Sequence, residues 1–442
     1  MNQASESASL VAVVTTDLSA ITRGRFIQDK DLERISLSGI GWVQANISLT
    51  AFNSLADPNP WGSCGDLRVL PDLGARFRTA KTGSATPFDL VCGDIVELDG
   101  TPWSCCTRTL LRQAVEELKA VAGLSIVASF EQEFQLLGAS LPRAHSFSFE
   151  ALRRIDPFAS ELMSALAQAG IDPEVIIAEY GQDQFEVTCS PTFAVAAADR
   201  SVAIREITRE LARNAGWRAT FSPKTESEGI GNGVHIHFSL RNAAGHPIMF
   251  QAEGPGGLSP LAGSFCAGIL RHLPAITALT APSVPSYYRL KPHSWSASYT
   301  WLAKQDREAT LRICPVVPFG TKAIADQYNI EYRATDATAN PYLALAVIVR
   351  AGLEGIKDSL AIPPLVTVHP DDMSESERRK WGLRRLPESL PMALEALAAD
   401  RKVGGWFNPL FIESFLGVRR AELALLDGMN PQSVCDRYRM LY

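Results

Sequence analysis

The acids and histidines of this chain recur in pairs two residues apart, the spacing that puts both side chains on one face of a β-strand. Glu131 and Glu133 form the first pair, in Phe130-Glu131-Gln132-Glu133-Phe134, which follows an apolar run (Leu124, Ile126, Val127) and reads as a strand. Phe130 and Phe134 then point the other way, into a core. Two carboxylates on one strand face repel unless that face meets water or a cation, so the pair is a solvated edge or part of an ion site. His235 and His237 repeat the spacing behind a glycine-rich turn, Gly229 to Gly233, with Val234, Ile236 and Phe238 on the opposite face. Glu331 and Arg333 repeat it just before Asn340-Pro341-Tyr342, and Glu179 and Glu186 flank a Gly181-Gln182 turn that opens into a strand. Arg289 opens a Pro/His/Trp loop that reaches Trp295, and Arg307 and Arg312 follow.

Each motif alone is compatible with a surface ion pair. Together they bring five glutamates and one histidine onto strand faces that a chain this long should bury, at high cost without cations. Oxygen-rich sites suit Mg²⁺ or Mn²⁺, and a histidine among carboxylates leans toward Mn²⁺ tolerance. A divalent metal with several arginines is the equipment of phosphoryl transfer. No P-loop or kinase glycine motif is present, so a nucleotide must be held by other means.

The elements that must position these residues divide at about residue 102. With 442 residues, 46% apolar and 20% charged, the chain is an ordinary globular protein long enough for two domains. Short strands bounded by Gly, Pro, Asn and Asp make residues 1–102 a small β-rich domain: 8–16, a piece from Gly24, Gly39 to Phe52, and segments near 65–72 and 89–92. The turn Asp99-Gly100-Thr101-Pro102 ends it. Residues 103–442 read as α+β, beginning with a helix capped by Thr107 and stopped by Gly123. Further helices are expected at 192–215, 257–280, 340–357, 388–399 and 410–427, and strands around 184–189, 233–240, 309–314 and 328–334. A net charge of −6 without a basic tract gives no sign of nucleic-acid binding. The start MNQASESASL lacks signal-peptide character, and no apolar run reaches the roughly 18 residues of a membrane span. Eight scattered cysteines suit reduced thiols, so a cytoplasmic location is expected.

In order and spacing, the motifs resemble glutamine synthetase from about Thr16 to the C-terminus. They are Phe130–Phe134, Glu179 with Gln184-Phe185-Glu186, Gly231–His237, Arg289-Leu290, Arg307 with Arg312, and Glu331-Tyr332-Arg333 with Asn340-Pro341-Tyr342. The resemblance implies a small N-terminal β-grasp domain. It also implies a large catalytic domain, a curved antiparallel sheet ringed by helices. Active sites would form between subunits of a double-ring homo-oligomer, a dodecamer or decamer. It assigns one metal to Glu133, Glu179 and Glu186 and a second to Glu131, His235 and Glu331. Arg289 and Arg333 would grip the amino-acid carboxylate and the transferring phosphate, and Gly231 would offer its backbone to glutamate. Arg307 and Arg312 would face the ATP phosphates, with His237 and Ser239 near the nucleotide. Glutamate would attack ATP to give γ-glutamyl phosphate, and an amine would displace phosphate.

The departures bear on the amine. The flap position where the family carries a glutamate for ammonium reads Trp295 here, and the N-terminal ammonium-binding loop reads Ala51-Phe52-Asn53-Ser54. Asp326 and Asn329 stand where basic residues are usual, and the adenylylated-tyrosine segment has no match. An indole near the nucleophile favours an apolar or aromatic amine through area burial or cation–π contact, unless it merely packs the flap. The expectation is an ATP-dependent γ-glutamyl ligase for an organic amine or polyamine. Glutamine synthetase itself, or a silent relative, are the alternatives.

Overall fold

A computed structural model describes residues 9–80 and 86–442. The leading MNQASESA stretch, with Ala8 at the head of the first expected strand, lies outside the described residues. Strands β1 (Leu10–Thr16) and β2 (Thr22–Gln28) form a hairpin, joined by β3 (Ile40–Val43), β4 (Asp66–Arg78) and β5 (Asp89–Val96). Their order is β2-β1-β5-β4-β3, with β1 and β5 parallel and the other neighbours antiparallel. A helix, Leu32–Ser38, packs on β4 and completes a β-grasp-like domain. With only Leu32 and Ile35 buried, it is too short to show a helical stripe in sequence. The extended stretch expected from Gly39 to Phe52 is strand only to Val43. It then turns through a 3-10 segment, Gln44–Ser48, in which Ala45 and Ile47 keep the two-residue alternation of burial that mimics a strand.

The larger domain carries β6 (Leu124–Phe130), β7 (Gln132–Leu137), β8 (Pro173–Ala178), β9 (Gln184–Cys189) and β10 (Thr192–Phe193). It also carries β11 (Arg218–Thr220), β12 (Ile236–Asn242), β13 (Leu302–Lys304), β14 (Leu311–Ile313) and β15 (Ile330–Tyr332). They form a six-stranded sheet, β10-β6-β12-β15-β14-β13, and a four-stranded sheet, β11-β7-β9-β8. All neighbours are antiparallel except β13 and β14. One residue, Glu131, separates β6 from β7, so the chain changes sheets there. The expected helices appear at Thr107–Ala122, Ala194–Asn214, Pro260–Thr280, Pro341–Lys357, Leu390–Ala399 and Pro409–Leu425. The buried helix 341–357 packs between helices 107–122 and 260–280 and backs the sheets. Among the described residues, no helix is long and apolar enough to cross a membrane.

Two polar ties fasten the small domain to the large one. Arg108, buried in the first turn of helix 107–122, reaches Asp72 of β4 (2.7 Å), Asp94 of β5 (2.8 Å) and Asp199 of helix 194–214 (2.9 Å). Asn340 caps helix 341–357 through the Leu343 N–H, while its amide donates to the carbonyls of Thr16 (2.9 Å) and Asp17 (3.0 Å). Asn340-Pro341 is thus a helix start that also clamps the turn after β1. Thr107 is not the cap expected from sequence: it is the first helical residue, and its hydroxyl donates to the Thr16 carbonyl at 3.3 Å. Replacing one partner of a buried ion network strands the others, so Arg108→Ala should destabilise the protein by about 3–5 kcal/mol. Chemical denaturation measures this, and a loss below about 1 kcal/mol would show that the domains do not depend on Arg108.

Candidate functional site

Sheet register builds the first half of the site. On β12, His237 pairs with Ser129 of β6 and with Glu331 of β15, and Glu331 pairs with Arg312 of β14. The two-residue alternation sends Ile236, Phe238, Ile330 and Tyr332 into the core on the opposite face. His235, just before β12, extends the polar face, and its carbonyl accepts the Glu131 N–H at 3.0 Å. Glu331 is 1% exposed. Its carboxylate accepts from Arg312 Nη1 (2.6 Å) and from Arg333, and lies 3.4 Å from His235 Nδ1. Glu131 reaches His235 Nδ1 at 3.2 Å and His237 Nε2 at 2.9 Å. The ligand atoms of Glu131, His235 and Glu331 lie within 4.8 Å of one another.

The second half sits on the other sheet. Glu131 and Glu133 do not share one strand, as the sequence suggests, since Glu131 lies between β6 and β7, yet both carboxylates approach His235 Nδ1, at 3.2 and 3.9 Å. The sheet change at Glu131 turns Glu131 toward His235 and His237, while Glu133 lies opposite Glu186 in the β7–β9 register. Glu179 follows β8, and the charge of Arg307, exposed in its loop, reaches it. Glu133 accepts from Gln184 Nε2 at 3.2 Å, and the same amide group donates to the Gly231 carbonyl and Asn232 Oδ1, both at 2.8 Å.

Electrostatics separates the halves. Burial pushes the Glu186 carboxyl up to about 10, with repulsion from Glu131, Glu133 and Glu179 adding to it. Burial likewise raises Glu133 to about 7, and raises Glu179. Against its burial, Arg333 and both histidines hold Glu331 down at about 2. Burial, then the charge of Arg333, lowers His235 to about 4, leaving its imidazole neutral, the form that ligates metals. Glu131 lifts His237 in spite of burial. Glu133, Glu179 and Glu186 act on one another through space and offer only oxygen, the donor a hard divalent cation takes. Among the described residues their oxygens are not gathered as closely as the ligand atoms of Glu131, His235 and Glu331. Glu131, His235 and Glu331 add a nitrogen to two oxygens.

Two glycines let backbone pass between the halves. A Cβ on Gly233 would stand 2.8 Å from His235 Nε2 and 3.1 Å from Glu133 Oε1, and one on Gly231 would meet Arg289 Cγ at 2.7 Å. Arg289 is buried and donates to the Thr335 carbonyl (2.6 Å) and the Arg333 carbonyl (3.3 Å), while its Nε has no partner. Ser239, two residues beyond His237 on β12, is half-buried.

The loop after Arg289 is held by a residue that the sequence did not single out, Glu308 in the loop between β13 and β14. Glu308 accepts the backbone N–H groups of His293 and Trp295, each at 2.9 Å. Both residues hold left-handed backbone, φ 53° and 52°, which side chains other than glycine adopt at a cost. The Trp295 carbonyl accepts from Arg333 at 3.1 Å, so the flap is tied from both sides through its main chain. His369 Nε2 lies 2.8 Å from Glu308, and its ring lies over His293 with centroids 4.4 Å apart. His369 Nδ1 accepts the Asp371 N–H, so in the neutral ring Nε2 carries the proton. The His293–Glu308–His369 cluster thus latches the flap, and its ligand atoms lie within 4.8 Å of one another. Its signal in sequence, one acid beside Arg307, is too weak to find.

Known proteins resemble this chain in sequence and fold. The glutamine synthetase catalytic-domain family matches residues 104–438, and the glutamine synthetase N-terminal-domain family matches residues 2–103. The chain belongs to the glutamine synthetase family, a family of ATP-dependent carbon–nitrogen ligases that use divalent metals. It is 32% identical to the gamma-glutamylpolyamine synthetase GlnA3 of Streptomyces coelicolor, over 98% of this chain and 93% of that one. It is 31% identical to the glutamine synthetase of Pyrococcus furiosus, over 91% and 88%. A crystal structure described as a novel glutamine synthase homolog superposes with a TM-score of 0.92 at 45% identity, covering both chains fully. GmaS in complex with ADP superposes with a TM-score of 0.80 at 25% identity, over 96% of this chain and 95% of that one.

The raised carboxyls fix a sign for the pH response. A glutamate whose folded value exceeds its unfolded one stabilises the fold at low pH and loses that contribution as pH rises through the folded value. With Glu133 at about 7 and Glu186 at about 10, the melting temperature in EDTA should fall between pH 7 and pH 9. Mg²⁺ should raise it more at pH 9 than at pH 7, because fewer protons compete for the carboxylates. Calorimetry at the two pH values decides this, and a metal increment independent of pH would contradict the assignment of these acids.

Proposed function

We propose that this chain joins the γ-carboxyl of glutamate to an organic amine or polyamine, using ATP and passing through γ-glutamyl phosphate. The observation that carries the choice of amine is Trp295. Its indole is 58% exposed, and its carbonyl is held by Arg333, which itself pairs with Glu331. The residue that the resemblance sets in place of the ammonium-binding glutamate is thus an exposed indole whose main chain bonds Arg333 and whose ring packs against Tyr180, the neighbour of Glu179. The similarity to a gamma-glutamylpolyamine synthetase supports the same reading.

Roles follow from placement. Glu133, Glu179 and Glu186 would hold one Mg²⁺ or Mn²⁺, and Glu131, His235 and Glu331 a second. The ions would neutralise phosphate charge as it develops. Arg289, whose buried Nε lacks a partner, and Arg333 would grip the glutamate carboxylate and the transferring phosphoryl group. Gly231 presents close-approach backbone to glutamate. Arg307 and Arg312 would meet the ATP phosphates, with His237 and Ser239 bordering the nucleotide. We place the domain boundary at residue 102, and assign the family's double-ring homo-oligomer with sites between subunits. The eight cysteines, all free, suit a reducing compartment such as the cytoplasm.

ADP release with Mg²⁺, glutamate and either NH₄⁺ or a panel of amines tests the reaction. The proposal expects amine-dependent turnover, and it expects Trp295→Glu to shift the kcat/KM ratio toward NH₄⁺ by about tenfold or more. Efficient turnover of the parent protein on NH₄⁺ alone would make it a glutamine synthetase instead. Glu186→Gln separates metal holding from fold support. Burial already favours the uncharged carboxyl, so the melting temperature in EDTA should not fall. Activity should drop on the order of 100-fold or more, and the Mg²⁺-dependent rise in melting temperature should shrink. Retained activity would remove Glu186 from the site.

A further inference from the structure

A row of aromatic rings adjoins the acid cluster. The Trp295 ring meets the Tyr180 ring edge to face, with centroids 5.5 Å apart and planes at 71°. Tyr180 meets Phe147 in the same manner, at 4.7 Å and 86°. All three rings are half exposed, at 58%, 53% and 50%, although such rings gain by burial wherever a core is within reach. Backbone geometry holds the row in place. Phe147 has a left-handed backbone, φ 60°, and its N–H donates to the Ala178 carbonyl at 3.0 Å, while Trp295 is pinned in its own left-handed turn by Glu308. Tyr180, the middle ring, directly follows Glu179, and Trp295 bonds Arg333 through its carbonyl, so the row adjoins the acid-and-arginine cluster at two points. Strained backbone at two of three exposed rings marks a functional surface rather than idle packing.

The ring spacing selects a ligand class. Exposed aromatic faces attract ammonium groups within about 6 Å of the ring centroid and cover alkyl chain between them. From ordinary single-bond lengths, an extended three- or four-carbon spacer sets successive ammonium groups about 5–6 Å apart, close to the step between these rings. A linear aliphatic polyamine can therefore present one nitrogen to the γ-glutamyl carbonyl while its remaining ammoniums follow the row. An aryl amine, with one short rigid body, would use only the first ring. Resting on the ligase function proposed above, we infer that Phe147, Tyr180 and Trp295 form a subsite for the distal, charged part of a linear polyamine. Phe147 and Tyr180 set chain-length preference without touching the reacting atoms.

The test compares spermidine, putrescine and propylamine as substrates of the full-length protein and of Phe147→Leu and Tyr180→Leu. Leucine keeps apolar bulk and removes the ring. Each substitution should lower the ratio of kcat/KM for spermidine to that for propylamine by about 3- to 30-fold, chiefly through KM for spermidine. Circular dichroism and mass photometry on both variants establish folding and subunit number. Unchanged ratios in folded variants with intact assembly would overturn the subsite while leaving the ligase function standing. Loss of assembly in either variant would mean that a second copy of the chain covers the row, and would equally overturn it. A parent protein that turns over NH₄⁺ and no amine would fail the ligase proposal itself, a result distinct from both.

Discussion

Five glutamates are drawn from strands and loops of two sheets, and two of them, Glu133 and Glu186, face each other across paired strands, buried and bonded to no cationic side chain. Carboxylates removed from water repel more strongly than at the surface, because the surrounding medium screens them poorly. Much else in the larger domain can be read as an answer to that repulsion. The chain crosses between sheets at Glu131, so Glu131 also meets His237 and Glu133 faces Glu186, while both approach His235. Gly231 and Gly233 bring main chain rather than side chains between the groups. Arg312 and Arg333 bond Glu331 directly, whereas the charges of Arg289, Arg333 and Arg307 reach Glu133 and Glu179 only across space.

That asymmetry gives the two halves different characters. Glu331 is permanently ionised, fixed by Arg312 and Arg333 and flanked by a neutral His235. Glu186 resists ionisation until something compensates it. A site of this kind has one half that is set by the fold and one that responds to what enters. The two polar ties at Arg108 and Asn340 keep the β-grasp-like domain from shifting as that happens, since each reaches strands or turns of the small domain from helices that back the sheets.

Much of this was legible in the sequence because β-register has a period of two. Acid–histidine and acid–arginine pairs at that spacing announced polar strand faces, and the register of β12, β14 and β15 brought His237, Glu331 and Arg312 into one row. The long helices were legible for the matching reason, a sustained 3.6-residue stripe. What escaped was whatever lacked periodicity. Nothing in Phe130–Phe134 breaks a strand, since the change of sheet at Glu131 is imposed by the partners of β6 and β7. Thr107 has the chemistry of a cap, but Asn340 and Thr16 claim it. Glu308 is a single acid in a loop, and its meaning depends on two N–H groups more than ten residues away. The aromatic row joins residues 147, 180 and 295, a separation no local pattern can reveal.

The hydrogen bonds that fasten the flap use its main-chain atoms: the N–H groups of His293 and Trp295 to Glu308, and the Trp295 carbonyl to Arg333. That part of the grip does not depend on which side chain stands at position 295, so long as the residue tolerates a left-handed backbone, while the ring contacts of His293 and Trp295 add to it. Hydrogen-bonded support and selectivity are carried by different atoms of one residue. A scaffold divided in this way can vary the side chain it offers to the nucleophile while the hydrogen bonds that hold the loop stay as they are.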